Sequence, residues 1–365
     1  MQRYWIGLVL VAGLVQGTGA QAPIRPAPMK TQVAEGVFLF QTSPYGEVGL
    51  DGNAVVIVSN DGVLVFDSNA TPAAAEAVLH EIRAITSQPV RYVVNSHWHW
   101  DHWYGTEVYA RAFPGVKVIA HEKTRQMMMG PALAFNQPGL DTQLPGYIEM
   151  LEKRLASLQP SAEATALRDR IAGHKWFLEQ KRGVHHTFPD LTFTDKLTLH
   201  LGEREVQVLH RDRAVTPGDA FLYLPKERIL VAGDLLVNPV SFALSVYPSG
   251  WVKTLEWIDA LDATTIVPGH GDVLRDETLL RATLDIFRKL IAFGPGAKAR
   301  GLNAFQASDE VYPSLHGLML PLTQDEPGRN AAFRTQLVEW FMHRVYDELN
   351  GPLSDAIAVI PSRGR

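Results

Sequence analysis

Three short runs of β-branched and small apolar residues in this chain each end on a residue able to bind a metal ion. "VRYVVNS" delivers the chain into His97, "RILVAG" into Asp234 and "TTIVPG" into His270. Short apolar runs of this kind, bounded by turn chemistry, read as buried strands. Strands that release polar residues at their carboxyl ends, with helical stretches between them, are the pattern of an α/β fold whose chemistry gathers at one edge.

The rest of the chain fills in that frame. "GVFLFQT" and "NAVVIVSNDGVLVFDSNATP" are rich in Val, Ile and Phe, and the Asn60-Asp61-Gly62 turn makes the second a hairpin ending at Asp67. From Pro72 the period changes, with Ala75, Val78, Leu79, Ile82 and Ile85 on one helical face. A segment of different character follows the run "VKVIAH". It contains "MMMGPALAFNQPG" and two helical patterns, Ile148, Leu151, Leu155 and Leu158, then Leu167, Ile171 and Leu178, separated by "QPSAE". This predicts a helical hairpin inserted at about 122–189, a candidate lid. Strands resume with "LTFTDKLTLHLGEREVQVLHRD" and "AFLYLPKERILVAGDLL", and a helix is expected around Trp251 to Leu261. Beyond Arg275 the pattern is helical, broken at "FGPGAKARG". A last helix from about Ala331 to Leu349 carries Phe333, Leu337, Phe341 and Val345 on one face. The organisation expected is one α/β domain over 31–293 with its insertion, then a helical C-terminal extension over 294–365.

The N-terminus "MQRYWIGLVLVAGLVQGTGAQAP" has Arg3 before an apolar stretch from Trp5 to Val15, then Ala20-Gln21-Ala22. That reads as a signal peptide over 1–22, cleaved after Ala22, and predicts a periplasmic or secreted protein with no membrane attachment once processed. A formal net charge of -5 and no basic stripe leave no footprint for nucleic acid. Zero cysteines exclude disulfides, thiolate ligands and cysteine nucleophiles, so any metal must be held by His and carboxylate.

"NSHWHWDHWYG" is the densest such group, with His97, His99, Asp101 and His102 spaced H-x-H-x-D-H. On a loop, imidazoles at i and i+2 can close on one ion while the adjacent Asp and His turn toward a second. Imidazole with carboxylate suits one or two Zn²⁺ ions, with Fe or Mn also accommodated. Asp234 and His270 bring ligands from two further directions. Alone, the first would read as a helix cap and the second as a satisfied polar residue.

The succession "LVFDSN", "HWHWDH", "AGDLL" and "VPGHG" resembles the metallo-β-lactamase superfamily of metallohydrolases over about 33–293. The resemblance implies an αββα sandwich, two mixed sheets face to face with helices outside and a metal centre at one edge. It implies His97 and His99 at a first metal site, Asp101, His102 and His270 at a second, and Asp234 bridging them. Asp67 would be the aspartate that braces the histidine loop; an aspartate merely ending a strand reads the same way. The pattern departs in one place: "RAVTPGDAFLYLP" has Val215 where the family has a third histidine for the first site.

Three consequences stay open. A first site of His97, His99, Asp234 and water binds more weakly; or His210 reaches in; or hydrolysis is lost and the fold only binds a metal, ligand or partner. Aspartate at position 234, where true β-lactamases carry cysteine or serine, favours a small ester, lactone, thioester or amide over an antibiotic. The expected reaction uses a metal-bound hydroxide, with Asp101 orienting it and taking its proton. Trp98, Trp100, Trp103 and Tyr104 would line or support the substrate pocket, with packing behind the loop as the alternative. His174, Trp176, His185 and His186 would either reach its mouth or lie on a solvated helix face.

Overall fold

Period-two alternation in the first third of the chain builds a sheet with two unlike faces. The computed structural model describes residues 27–42 and 51–358, so the expected signal peptide lies outside the described residues. The strands β1 (Met29–Ala34), β2 (Val37–Gln41), β3 (Ala54–Ser59) and β4 (Gly62–Phe66) run antiparallel in order. Helix α1 (Pro72–Ile85) then crosses to β5 (Val90–Val94), and α2 (Thr106–Ala112) crosses to β6 (Lys117–His121). Thr71 starts α1 because its side chain accepts from the Ala74 N–H and Pro72 sets the first turn. The helices α3 (Glu122–Met128), α4 (Pro131–Pro138), α5 (Leu144–Ala156) and α6 (Ala162–Arg182) stand between β6 and β7 (Leu191–Phe193). From β4 to β7 the pairing is parallel.

The second sheet has β8 (Lys196–Leu201), β9 (Arg204–Leu209), β10 (Phe221–Leu224) and β11 (Ile229–Gly233) antiparallel. After α7 (Pro248–Asp259), β12 (Thr265–Pro268) joins parallel to β11. The chain finishes in α8 (Thr278–Ala299), α9 (Ala304–Val311), α10 (His316–Thr323), α11 (Pro327–Ala332) and α12 (Trp340–Glu348), with a π-helical stretch Phe333–Glu339 joining the last two.

Alternation decides the layers. Val55, Ile57, Leu64 and Phe66 face inward and meet Val206, Val208, Leu222 and Val231 of the second sheet. Ala54, Val56, Val63 and Val65 face outward and are covered by Ala75, Val78, Leu79 and Ile82 of α1 and by Val108 and Tyr109 of α2. On the far side, Phe221, Leu230, Ala232 and Ile266 lie under Trp251, Leu255 and Ile258 of α7, Phe287 and Leu290 of α8, and Phe341 and Val345 of α12. Helix, sheet, sheet and helix are therefore four layers of an αββα sandwich.

Two helical expectations change in detail. The helix expected from Trp251 begins at Pro248, which supplies the preset φ of a first helical turn. The break expected at "FGPGAKARG" falls at its far end, since α8 continues through Pro295 to Ala299 before Arg300 and Gly301 close it. Gly294 accounts for the local composition: a Cβ there would lie 2.5 Å from Val345 Cγ1, so the glycine serves a close crossing with α12 rather than a turn.

Candidate metal centre

Four strand ends supply the residues, and all four lie at the carboxyl ends of parallel-paired strands. β4 ends before Asp67, β5 before the 95–105 loop, β11 before Asp234 and β12 before His270. Within the loop, Trp100–His102 makes a single 3₁₀ turn that sets Asp101 and His102 inward.

Two groups of donors result, His97 with His99 and Asp234, and Asp101 with His102 and His270. Within each group the ligand atoms lie within 4.8 Å of one another. Asp234 belongs to both neighbourhoods: Oδ2 is 3.6 Å from His97 Nε2, while Oδ1 is 3.3 Å from His102 Nε2 and 3.4 Å from His270 Nε2. Asp101 Oδ2 lies 3.2 Å from His270 Nε2 and 3.4 Å from His102 Nε2, and those two ring nitrogens are 3.2 Å apart.

The imidazoles are aimed by a short hydrogen-bond chain. The Ser96 hydroxyl donates to Asp67 Oδ2 at 2.7 Å, and the Ser96 N–H donates to Asp67 Oδ1 at 2.7 Å. With its proton committed there, Ser96 Oγ can only accept from His97 Nδ1, 2.8 Å away, which leaves His97 Nε2 bare and facing the cluster. His102 Nδ1 is likewise held 2.8 Å from Asp67 Oδ2, so its Nε2 also points inward. Asp67 is wholly buried and sits at φ 59, a left-handed conformation that a short polar side chain tolerates.

The electrostatics are those of a site awaiting positive charge. Burial works against both carboxylates, but His102 and His270 hold Asp101 and Asp234 well below the usual carboxylate range. Against burial, Asp234, Asp101 and Asp67 hold His102 well above its ordinary value, and Asp234 and Asp101 raise His270 to about 10. Burial first, then His102 and His99, push His97 well down. His97 Nε2 and Asp234 Oδ1 are buried with no hydrogen-bond partner. Orphaned donor atoms that converge from two sheets, on His and Asp alone, fit borderline or hard divalent cations such as zinc.

Val215 adds no donor. It is 2% exposed within the apolar cluster that includes Phe221 and Trp251, and its loop is tied by Asp219, which accepts from the N–H of Ala214 and of Thr216 and from the Thr216 hydroxyl. His210 does not reach the centre either. Its Nδ1 is 2.9 Å from the Asp219 carbonyl and its ring packs on His121.

Of the two readings of the loop aromatics, lining or supporting the pocket and packing behind the loop, three of the four residues are found packed. Trp98, Trp103 and Tyr104 are buried with Met127, Met128 and Ala132, and the Trp103 indole donates to the Trp98 carbonyl at 2.9 Å. They fix the insertion to the loop. Trp100 alone is half-buried. His174, considered for a solvated face, is buried between α5 and α6 against Tyr147, and His186 packs on Trp103 and Tyr104. His185 is exposed; its backbone N–H donates to Glu107 and its carbonyl accepts from the Thr187 hydroxyl. Nothing in the sequence singles out Ser96 or Lys181. Ser96 owes its role to a neighbour, and Lys181, on α6, places its Nζ 3.3 Å from the centroid of the Trp100 ring.

Comparison with known proteins agrees with this architecture. A family model of the metallo-beta-lactamase superfamily matches residues 48–270. The linear primary-alkylsulfatase of Pseudomonas sp. (strain ATCC 19151) is 23% identical over 273 residues, 70% of this chain and 48% of that protein, so the chain spans about half the length of this relative. The metallo-beta-lactamase from Pontibacter korlensis is similar at 19% identity and a TM-score of 0.52, over 72% of this chain and 99% of that one. The mono-zinc form of the metallo-beta-lactamase FIM-1 from Pseudomonas aeruginosa shares 13% identity at a TM-score of 0.52, over 74% and 98%. These structural likenesses carry the fold. With the family match extending over more than half of the chain and ending at His270, just after β12, the chain belongs to the metallo-beta-lactamase superfamily.

Proposed function

We propose that the protein is a metal-dependent hydrolase that cleaves a small ester-type substrate, an ester, lactone, thioester or amide, at the centre formed by His97, His99, Asp101, His102, Asp234 and His270. The observation that carries this is the convergence of two donor groups on one carboxylate, Asp234, with one oxygen toward each. One or two zinc ions, with iron or manganese accepted by the same donors, supply Lewis acidity and lower the pKa of water. His97 and His99 with Asp234 hold the first ion, Asp101, His102 and His270 the second, and Asp67 fixes the rings through Ser96 and His102.

The chain's own groups then divide the work. His102 and His270 favour the ionised form of Asp101, whose Oδ2 stands 3.4 and 3.2 Å from their Nε2 atoms, and its carboxylate would orient the attacking water and accept its proton. Asp234 stays charged between the two donor groups. The apolar wall of Trp98, Trp103 and Tyr104 excludes bulk water from behind the loop. The curated relative is by name an alkylsulfatase, which places sulfate esters beside carboxylic esters among the substrates to be tried. The sequence of the N-terminus supports action outside the cytoplasm after cleavage at Ala22. No helix among the described residues is long and apolar enough to cross a membrane.

A second reading rests on Val215: with three protein donors at the first group, the fold binds metal or ligand without turnover. Elemental analysis separates the two. Protein reconstituted with zinc, iron or manganese is expected to retain at least one ion per chain through gel filtration, to hydrolyse a chromogenic ester, and to lose that activity on chelation. Near-zero retention of all three metals sinks the hydrolase reading; retention without turnover of any ester-type substrate favours the binding one.

A further inference from the structure

One cation in the molecule lacks a partner where charge is costly. Lys181 is 7% exposed, and among the described residues its Nζ makes no hydrogen bond and lies within 4.0 Å of no carboxylate. Its neighbours are aromatic faces, with Trp100 at 3.3 Å, Tyr104 at 5.1 Å and Phe177 at 5.5 Å to the ring centroids. Ring faces attract an ammonium but do not neutralise it. Burial pushes the Lys181 pKa down to about 7 and the field of Asp101 opposes this, so the amine stands at the edge of losing its proton and a facing anion would hold it fully protonated.

Position says what that use is. Trp100 and Asp101 are consecutive, so the ammonium seated on Trp100 stands beside the metal loop, and Asp101 is the carboxylate whose field reaches it. That carboxylate is already engaged with His102 and His270. Lys181 comes from α6, whereas the six donors come from the sandwich, so it stands on the insertion side of the metal loop, against Trp100. Three carboxylates, Asp67, Asp101 and Asp234, do not balance two divalent cations among neutral imidazoles, and Lys181 adds to the excess. A site with surplus positive charge, beside an ammonium that only ring faces contact, favours anionic ligands over neutral and cationic ones.

Resting on the hydrolase reading above, we propose that Lys181 is a specificity-determining residue that receives an anionic group of the substrate, a sulfate or a carboxylate, as it enters between the insertion and the metal loop. Trp100 holds the ammonium in place, and the insertion thereby acts as a charge-reading wall of the cleft. The residue touches the substrate's anion and takes no part in bond cleavage.

The test uses the full-length zinc-reconstituted protein, its Lys181→Met and Lys181→Arg variants, and a matched pair of chromogenic esters, 4-nitrophenyl butyrate and 4-nitrophenyl hemisuccinate, with 4-nitrophenyl sulfate as a third substrate. Lys181→Met should raise KM for the anionic substrates at least tenfold and change kcat/KM for the butyrate by less than about threefold; Lys181→Arg should restore most of the anion preference. The substrate whose KM responds, hemisuccinate or sulfate, identifies the anion. An equal loss on neutral and anionic substrates, or no change in preference, overturns the proposal and leaves Lys181 as a clasp between α6 and the loop. Inorganic sulfate binding, followed by calorimetry and by tryptophan fluorescence, keeps the two readings apart. If the wild type turns over no ester at all, the hydrolase reading fails, and equal sulfate affinity of wild type and Lys181→Met overturns the Lys181 assignment independently, while a tenfold loss in the variant sustains it.

Discussion

Asp67 belongs to neither donor group, yet it decides how two of the six donors point. Its Oδ2 receives both the Ser96 hydroxyl and His102 Nδ1, and its Oδ1 receives the Ser96 N–H. Asp67→Ala should therefore free two imidazoles at once. Orphaning the buried Ser96 groups and His102 Nδ1 costs about 1–3 kcal/mol per unsatisfied group, and zinc affinity should fall tenfold to a hundredfold, as losing an outer partner of a metal histidine generally does. Calorimetric zinc titration together with melting reads both effects; unchanged affinity would mean that packing alone aims the rings. At this scale the six donors were legible because each follows an apolar strand, so the sequence states both the ligand and its platform. Ser96 and Lys181 were not, because one acts only through Asp67 and the other through where a 21-residue helix comes to rest. The aromatic residues of the loop stayed open for a related reason: Trp98 and Trp103 have the same spacing whether a loop shows them to substrate or to an insertion.

His121 joins two elements. It closes β6, and as the residue before α3 its Nδ1 accepts from the Lys123 N–H, so it caps the first helix of the insertion. Burial first, and then the stacked His210, depress it to about 4, with Lys123 adding to the effect and the Thr194 carbonyl and Asp195 opposing it. A histidine whose folded value is lowered binds protons more readily when unfolded, so its contribution is complete above about 6.5 and is lost as pH falls toward 4. Protonation also removes the cap acceptor and sets a positive charge at a helix N-terminus. Hydrogen exchange over 122–128 should accordingly quicken across that window, and His121→Asn, which keeps a capping oxygen and removes the titration, should flatten the response. Exchange that is independent of pH in the wild type, after correction for intrinsic rates, would show that α3 is held from elsewhere. Element existence was readable here from period alone: the paired patterns of Ile148 and Leu151 with Leu167 and Ile171 became α5 and α6, closed on their own small core. The insertion's attachment was not, since it depends on contacts such as Met127 and Met128 under Trp103 that no local pattern announces.

At the scale of the molecule, the helices after β12 complete a layer rather than trail from it. Outward residues of the second sheet, Phe221, Leu230 and Ile266, share one apolar cluster with Trp251 on α7, Phe287 on α8, and Phe333, Phe341 and Val345 at the C-terminal end. Without those helices the outer face of that sheet would meet water, which explains why the family match can stop at residue 270 while the hydrophobic layer does not. Phe341 is the keystone by geometry, wholly buried and stacked on Phe287 with centroids 4.4 Å apart, while Phe287 in turn packs on Trp251 at 4.5 Å. Phe341→Ala should cost about 3–5 kcal/mol, the range for emptying a phenylalanine site in a close-packed core. The loss should be global: Trp251 belongs to the cluster of Phe341 and Trp98 and Trp103 to that of the metal loop, so if the two unfold together, tryptophan fluorescence and zinc release should report one shared transition at lower denaturant in the variant. Phe135→Ala, at a residue 38% exposed on the insertion, is the matched control and should shift the midpoint by less than about 0.5 kcal/mol. Two separated transitions, with zinc retained after the fluorescence change, would show instead that the C-terminal helices fold on their own and merely lean on the sandwich. A single transition displaced by Phe341→Ala would tie the stability of the metal edge to packing on the opposite face of the second sheet, through β11, which carries both Leu230 and the approach to Asp234.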